Sequence, residues 1–566
     1  MEKKRNIPYN KILLLGIFVV YCSLRIISWS NATTFEDHDS VSYLQTAKYI
    51  EHHQWEKLNP MNTFFYSALI AAFHQFNIKY EISARLISLI FSIVLFFSFY
   101  YWGKKITSSK GVLLGLLLLS LNPFLINLSI AVLTEPSYIG LVYSGLFLFG
   151  YFIKRDKISI AFLCGLIFGL SFTDRTEGII FILFIPMMKL LYYLLWERKN
   201  YSIAHLAGWV GVFIIGYSIF SVPSIVYVSS QMGTFSINGR TVWQKLLNSS
   251  DIKSYEEKLN GLDFSSSEVN LTYALSHPDF PDKKHENINN DSNFNNKDGL
   301  IHFDALKYFI LDITKLYRSS LSSVLGVFIL IFYGIGIRHL LVKQKYKDIL
   351  LNIFFTLVVL IPPMMLYGYR YRHIAIVIPA VIILSGIGFK ELCSGIVSSI
   401  KNEKLYSLLK NKIDLIFIIL MIFFSLGWFN DALRHPSQNS EYSLENFKQP
   451  LLILKKDIKK NNIKNPKISS RKNYFPYYAN IDEFSLPYTD YDKLVNYFRL
   501  NDGNYLFLEY QHISNYPFVK NFQDQNTPDF ILLYSGYNDK SNKIELYRFK
   551  IRESPPNNEV IRKIFK

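Results

Sequence analysis

The chain has 566 residues, 50% of them hydrophobic and 19% charged, with a formal net charge of +17. Repeated uncharged apolar stretches, each near the roughly 20 residues that cross a bilayer, exclude a single soluble domain. Its three cysteines, Cys22, Cys164 and Cys393, lie in or beside such stretches, which excludes a disulfide framework or a cysteine metal site.

In chain order, uncharged runs predict spans at 12–29, 86–102, 111–128, 136–153, 158–173, 178–196, 206–228, 320–337, 349–367, 373–389 and 415–429. The basic start, Met1 to Arg5, precedes an apolar run without a small-residue cleavage site, which reads as an uncleaved signal anchor. Arg25 falls near the outer end of the first span and Lys189 in the sixth, where its long side chain is expected to snorkel. The segment 61–76 is apolar but short and follows Asn59-Pro60. If it crossed, every later loop would change sides. Left on the outer face, it puts Lys3, Lys4, Arg5, Lys104, Lys105 and the basic loops 338–348 and 390–412 in the cytoplasm, as the positive-inside rule requires. The basic excess is therefore a topology signal and not a nucleic-acid footprint.

Four segments then lie outside the cytoplasm: 30–61, the loop 229–319, the link Tyr367–His373 and the C-terminus from about 431. The loop becomes polar and Asn-rich at 287–296, a composition that does not build a core. Beyond 431, strand-like runs at 505–510, 530–534 and 544–551 alternate with a helical pattern at 447–458, enough for a small α/β domain. The expected division is a transmembrane domain over 1–430, with an outer catalytic loop at 30–85, and an extracytoplasmic domain over 431–566.

Charged residues on that outer side are the candidates for chemistry. Asp37, His38 and Asp39 stand at the start of a helix bearing Tyr43, where a catalytic base is one reading and an N-cap by Asp39 or Ser40 the other. Asp37 and His38 are metal ligands by type, but three adjacent side chains do not converge comfortably on one ion, and no metal is expected. In Thr134-Glu135-Pro136, Thr134 suits a cap and Pro136 a first helical turn, while Glu135 brings a second acid to the outer surface. Thr173-Asp174-Arg175-Thr176-Glu177-Gly178 links two spans with more charge than a plain hairpin needs. Arg370 and Arg372, joined by Arg240 from the outer loop, carry forked donors matched to phosphate oxygens on the side where basic residues are otherwise sparse.

Taken together, the order and spacing of these motifs resemble the GT-C polyprenyl-phosphate-sugar glycosyltransferases. The nearest pattern is the bacterial branch of glycosyltransferase family 39, which holds the protein O-mannosyltransferases and aminoarabinose transferases. Asp39-Ser-Val-Ser-Tyr43 with Ala47 is similar to the family's first-loop pattern, and Pro60, Tyr66, Leu69 and Ala72 resemble the juxtamembrane helix after it. Glu135 stands where the family has its second acid. Thr173–Gly178 resembles Thr-Arg-Pro-Glu-Gly with an inserted Asp and Thr for Pro. Gly233–Arg240, Arg372-His373 with Pro379, and Ser470-Arg471 with Tyr477-Tyr478-Ala479 resemble later motifs, His373 replacing a tyrosine.

The resemblance implies a polytopic α-helical membrane protein of GT-C fold, with about 11 spans and a soluble α/β domain, that carries out inverting sugar transfer. The implied partners are a polyprenyl-phosphate-sugar donor, a glycolipid, polysaccharide or protein acceptor, and membrane lipid, with no nucleic acid and no cofactor. Asp39 is the implied base, with Glu135 orienting a substrate. Asp37, Tyr43, Arg175, Glu177, Arg240, Arg370 and Arg372 are the implied substrate-binding set. The expected location is a bacterial cytoplasmic membrane, with N-terminus inside, and active site and C-terminal domain outside. A transporter or flippase of lipid-linked sugars is the rival; it predicts charged or broken helices near mid-membrane.

Overall fold

In a bilayer each backbone N–H and C=O must be satisfied within its own segment, so uncharged runs fold as helices. The computed structural model describes residues 9–32, 38–55, 58, 63–152, 157–197, 202–232, 235–237, 322–343, 345, 375–400, 444–487, 489–514, 516–538 and 541–550. Its helices are α1 (Tyr9–Asn31), α2 (His38–Glu51), α3 (Phe65–His74), α4 (Tyr80–Ile106), α5 (Ser109–Leu121), α6 (Pro123–Leu128), α7 (Glu135–Phe152) and α8 (Ile158–Asp174). A 3-10 turn (Thr176–Ile180) leads into α9 (Phe181–Tyr192), followed by α10 (Ile203–Met232), α11 (Ser322–Val342) and α12 (Ile378–Ser398). Among the described residues, five helices are long and apolar enough to cross a bilayer: Asn10–Asn31, Tyr80–Ile106, Thr176–Leu195, Ile203–Gln231 and Ile378–Ser398. The spans expected at 349–367 and 415–429 lie outside the described residues.

Three expectations need correction. The run 111–128 is two helices, because Asn122 leaves helical geometry and its side chain accepts from the Leu125 amide at 3.0 Å, with Pro123 opening α6. The last described span begins at Ile378 and runs to Ser398, beyond the expected 389. Lys189 does not snorkel: it is 1% exposed, with its ammonium 5.7 Å from the Trp209 ring centroid.

The chain divides into two compact units. The first, Met1–Ala32, Thr63–Ser224 and Leu300–Gln438, holds the apolar helices. Arg25 is 1% exposed there and ties α1 to α4: its guanidinium lies 3.2 Å over the Tyr21 ring and its Nε donates to Ser92 Oγ at 3.1 Å. Where α11 meets α12, small residues let two backbones approach. A Cβ at Gly388 would lie 2.8 Å from the Gly336 amide and closer still to the Phe332 carbonyl oxygen. Gly388→Val must therefore spread the pair, an overpacking of at least about 1–3 kcal/mol. The expected result is loss of monodisperse protein in size-exclusion chromatography, with Gly395→Val unaffected because nothing lies within 4 Å of a Cβ there.

The second unit, Thr33–Asn62, Ile225–Gly299 and Asn439–Lys566, contains α2 and an α/β region. That region holds α13 (Leu444–Lys460), β1 (Lys467–Ser470), α14 (Tyr474–Ala479), β2 (Asp482–Ser485), α15 (Tyr491–Leu500), β3 (Tyr505–Glu509), β4 (Phe530–Tyr537) and β5 (Lys543–Phe549). The sheet order is β2-β1-β3-β5-β4, with β1 parallel to β2 and β3, and β5 antiparallel to β3 and β4. Leu494, Phe498, Leu506, Phe518 and Phe530 form one buried apolar cluster that holds α15 and the sheet together. The domain boundary expected near 430 falls outside the described residues.

Candidate active site

The first unit brings Glu135, Arg175 and Glu177 together. Helix α7 starts at Glu135, with the Thr134 carbonyl accepting from the Tyr138 amide at 3.0 Å and from Ser137 Oγ at 2.9 Å. A carboxylate in that first turn is favoured by the partial positive charge of the helix N-terminus. Helix α8 ends at Asp174 because Arg175 is extended, with φ −148° and ψ 132°, before the 3-10 turn resumes. That break aims the Arg175 side chain at its neighbours. Its guanidinium lies 2.6 Å from Glu135 Oε1 and 2.8 Å from Glu177 Oε1, and donates to Thr134 Oγ1 at 3.3 Å.

Gly178 is required where it stands: a Cβ would meet the Phe172 amide nitrogen at 2.6 Å, so only glycine lets the 3-10 turn fold back on α8. Tyr217 clamps the turn by donating to the Gly178 carbonyl at 3.1 Å. The Phe64 amide donates to the Thr173 carbonyl at 3.2 Å, which ties the approach to α3 to the same corner.

Asp174, one of the charges of the 173–178 link but outside the implied substrate-binding set, belongs to the same corner. It is fully buried, faced by the Ser137 hydroxyl and the Tyr66 amide, with the charges of Arg175 and Glu135 alongside. The signal was available: an acid next to an arginine at a span end marks a charged cluster as readily as Glu177 does. One guanidinium thus stands among three acids, which makes this corner a poor phosphate site. It suits hydroxyl groups, which donate to carboxylates and accept from arginine.

In the second unit, α2 starts at His38, so Asp39 lies inside the first turn and does not cap it. Tyr43 follows one turn later and is 6% exposed. The side of α2 that carries Ser42, Gln45 and Lys48 rests on the α/β region. Asn473 donates from its amide to Ser42 Oγ at 2.8 Å and to Gln45 Oε1 at 3.0 Å. The Lys48 ammonium lies 4.7 Å from the Tyr477 ring centroid.

Gln45 also donates to the Glu483 carboxylate, one oxygen of which is closed off from solvent. Burial pushes the Glu483 carboxyl from an ordinary 4.5 up to about 7, against the opposing effect of the Gln45 hydrogen bond. Tyr49 and Asp482 are its titratable neighbours. The docked helix therefore favours a proton that an exposed glutamate would release, so docking is tightest below pH 4.5 and weakens as pH rises through about 7. Amide exchange over 42–51, corrected for its intrinsic pH dependence, is expected to be slower in mild acid than in mild base. Glu483→Gln should flatten that profile; a flat wild-type profile would contradict it.

Asp37, Arg240, Arg370, Arg372 and the side chain of His38 lie outside the described residues. Among the described residues, no three His, Cys, Asp or Glu side chains gather as a metal-binding group.

Residues 61–226 match the family described as dolichyl-phosphate-mannose-protein mannosyltransferase. No curated protein sequence matches the chain. Similar solved structures include ArnT from Cupriavidus metallidurans bound to undecaprenyl phosphate, at TM-score 0.58 and 10% identity over 96% of this chain and 99% of that one. They also include the Archaeoglobus fulgidus oligosaccharyltransferase in the apo form, at TM-score 0.55 and 11% identity over 98% of this chain and 76% of that one. The archaeal oligosaccharyltransferase AglB from Archaeoglobus fulgidus, in complex with an inhibitory peptide and a dolichol-phosphate, aligns at TM-score 0.53 and 11% identity over 97% of this chain and 75% of that one. Residues 61–226 thus match the model of that family, and the chain shares the fold of these membrane-protein structures.

Proposed function

We propose that this chain transfers a sugar, with inversion at C1, from a polyprenyl-phosphate donor to a hydroxyl acceptor at the outer face of a bacterial cytoplasmic membrane. The observation that carries the reading is the family domain at 61–226, which contains the Glu135–Arg175–Glu177 cluster. The lipid phosphate bound in the ArnT structure supports the donor class. The acceptor is a glycolipid, a surface polysaccharide or a protein.

In this reaction Asp39 takes the proton of the acceptor hydroxyl, whose oxygen then attacks C1. The bond from C1 to the phosphate oxygen breaks, and the lipid phosphate leaves with the electron pair. That leaving group needs no general acid, but the charge growing on it needs a cation. Arg175 is already balanced by two carboxylates, so this task falls to Arg370 and Arg372, with Arg240 as their partner from the outer loop. Glu135 and Glu177, held by Arg175, orient sugar hydroxyls, and Asp37 and Tyr43 flank the base. Because a surface carboxylate is a weak base near neutral pH, positioning supplies most of the rate.

Stereochemistry tests the reading. Product formed from a donor of known anomeric configuration should have the opposite configuration, and free undecaprenyl phosphate should inhibit. Retention would require a glycosyl-enzyme intermediate and would overturn the single displacement.

A further inference from the structure

We infer that the C-terminal α/β region is part of the catalytic apparatus: Asn473, bridging Ser42 and Gln45, latches the helix that carries Asp39 and so positions it. This rests on the proposed role of Asp39 as base.

Helix α2 has 14 residues, and isolated helices shorter than about 12–15 residues are marginal in water. Asp39 sits in its first turn, the part that frays first. A base there needs something outside the helix to hold it. Ser42 lies three residues on from Asp39, one turn along the helix, and the α/β region grips it through Asn473. The grip comes from 431 positions away in sequence, so no local structure supplies it.

Both hydrogens of the Asn473 side-chain amide are engaged. Two hydrogen bonds leave the Asn473 amide nitrogen, one to each helix side chain. Gln45 accepts from Asn473 at one end of its amide and donates to Glu483 at the other. Its orientation is thereby fixed. Lys48 over Tyr477 adds a third point one turn further along. Ser42, Gln45 and Tyr49 recur at helical spacing toward α14 and β2, and Asp39 stands at the head of that row.

Small displacements are expensive in a reaction governed by positioning: about 1 Å can cost about 100-fold in rate. Asn473→Asp keeps the shape of the side chain but has no N–H to donate. The expected result is a fall in kcat of about 10- to 100-fold with KM for the donor little changed. Asn473→Gln, which restores an amide donor, should recover part of the loss.

The experiment uses full-length protein in lipid nanodiscs, with amide exchange over residues 38–51 and transfer from a panel of undecaprenyl-phosphate sugars measured on the same samples. Faster exchange together with reduced kcat in Asn473→Asp supports the latch. Unchanged exchange overturns it, whatever the activity. Faster exchange with undiminished transfer also overturns it, since the helix would then be held without consequence for chemistry. Asp39→Asn run alongside separates the two claims: full activity in that variant removes the base from the premise, while the exchange result still judges the contact.

Discussion

Asp39→Asn will lower sugar transfer about 100- to 10,000-fold, the range a positioned general base contributes. Asparagine has nearly the same size and keeps a polar group in the first turn of α2, but it cannot accept the acceptor's proton. The loss of a negative charge near a helix N-terminus costs only about 0.3–1 kcal/mol, so the fold should survive. Thermal unfolding close to wild type together with a collapsed kcat is the expected pattern. A carboxylate is a weak base near neutral pH. That is why placement, and with it the contact between α2 and α14, should govern much of the rate. Transfer within a few-fold of wild type would move the base elsewhere.

Arg175→Met will destabilise the first unit by about 3–5 kcal/mol, the usual consequence of removing one partner from a buried ion pair. The side chain of Glu135 is 4% exposed and that of Glu177 is 10%, so both would be left as poorly solvated carboxylates beside Asp174. The signature is coupling. Glu135→Gln in the Arg175→Met background should restore part of the lost stability, because it removes a charge that no longer has its counter-ion. Denaturation midpoints of the wild type, the two single variants and the double variant would measure it. Additive losses would show that Arg175 and Glu135 act independently despite the 2.6 Å separation.

The apolar helices were legible because a bilayer imposes one rule on every spanning segment, and uncharged length reports it. The Asn122–Pro123 break was written in the sequence as well, but a hydropathy reading averages across two residues inside an apolar run. In the α/β region the runs at 505–510, 530–534 and 544–551 became β3, β4 and β5, since apolar and β-branched residues mark strands. The strands Lys467–Ser470 and Asp482–Ser485 were not legible. Each has four residues, mostly polar, and exists because a parallel neighbour completes its hydrogen bonds.

Among site residues, Glu135, Arg175 and Glu177 stood out as charges at the ends of apolar runs, and the structure brings their side chains together. Asp174 is part of the same corner but fell outside the implied binding set, because the pattern that its neighbours resemble lacks it. The Asn473 contact could not be read at all, since it joins positions 431 residues apart through an asparagine, a serine and a glutamine of no distinctive spacing.

The most direct test of the central claim is label transfer by purified protein in lipid, from a radiolabelled undecaprenyl-phosphate sugar to an acceptor pool of membrane extract. The proposed transfer predicts that label reaches an acceptor with the wild type and that free lipid phosphate is released in equal amount. It would be contradicted if every donor in the panel stayed intact while labelled lipid moved from one leaflet to the other, which is transport and not transfer.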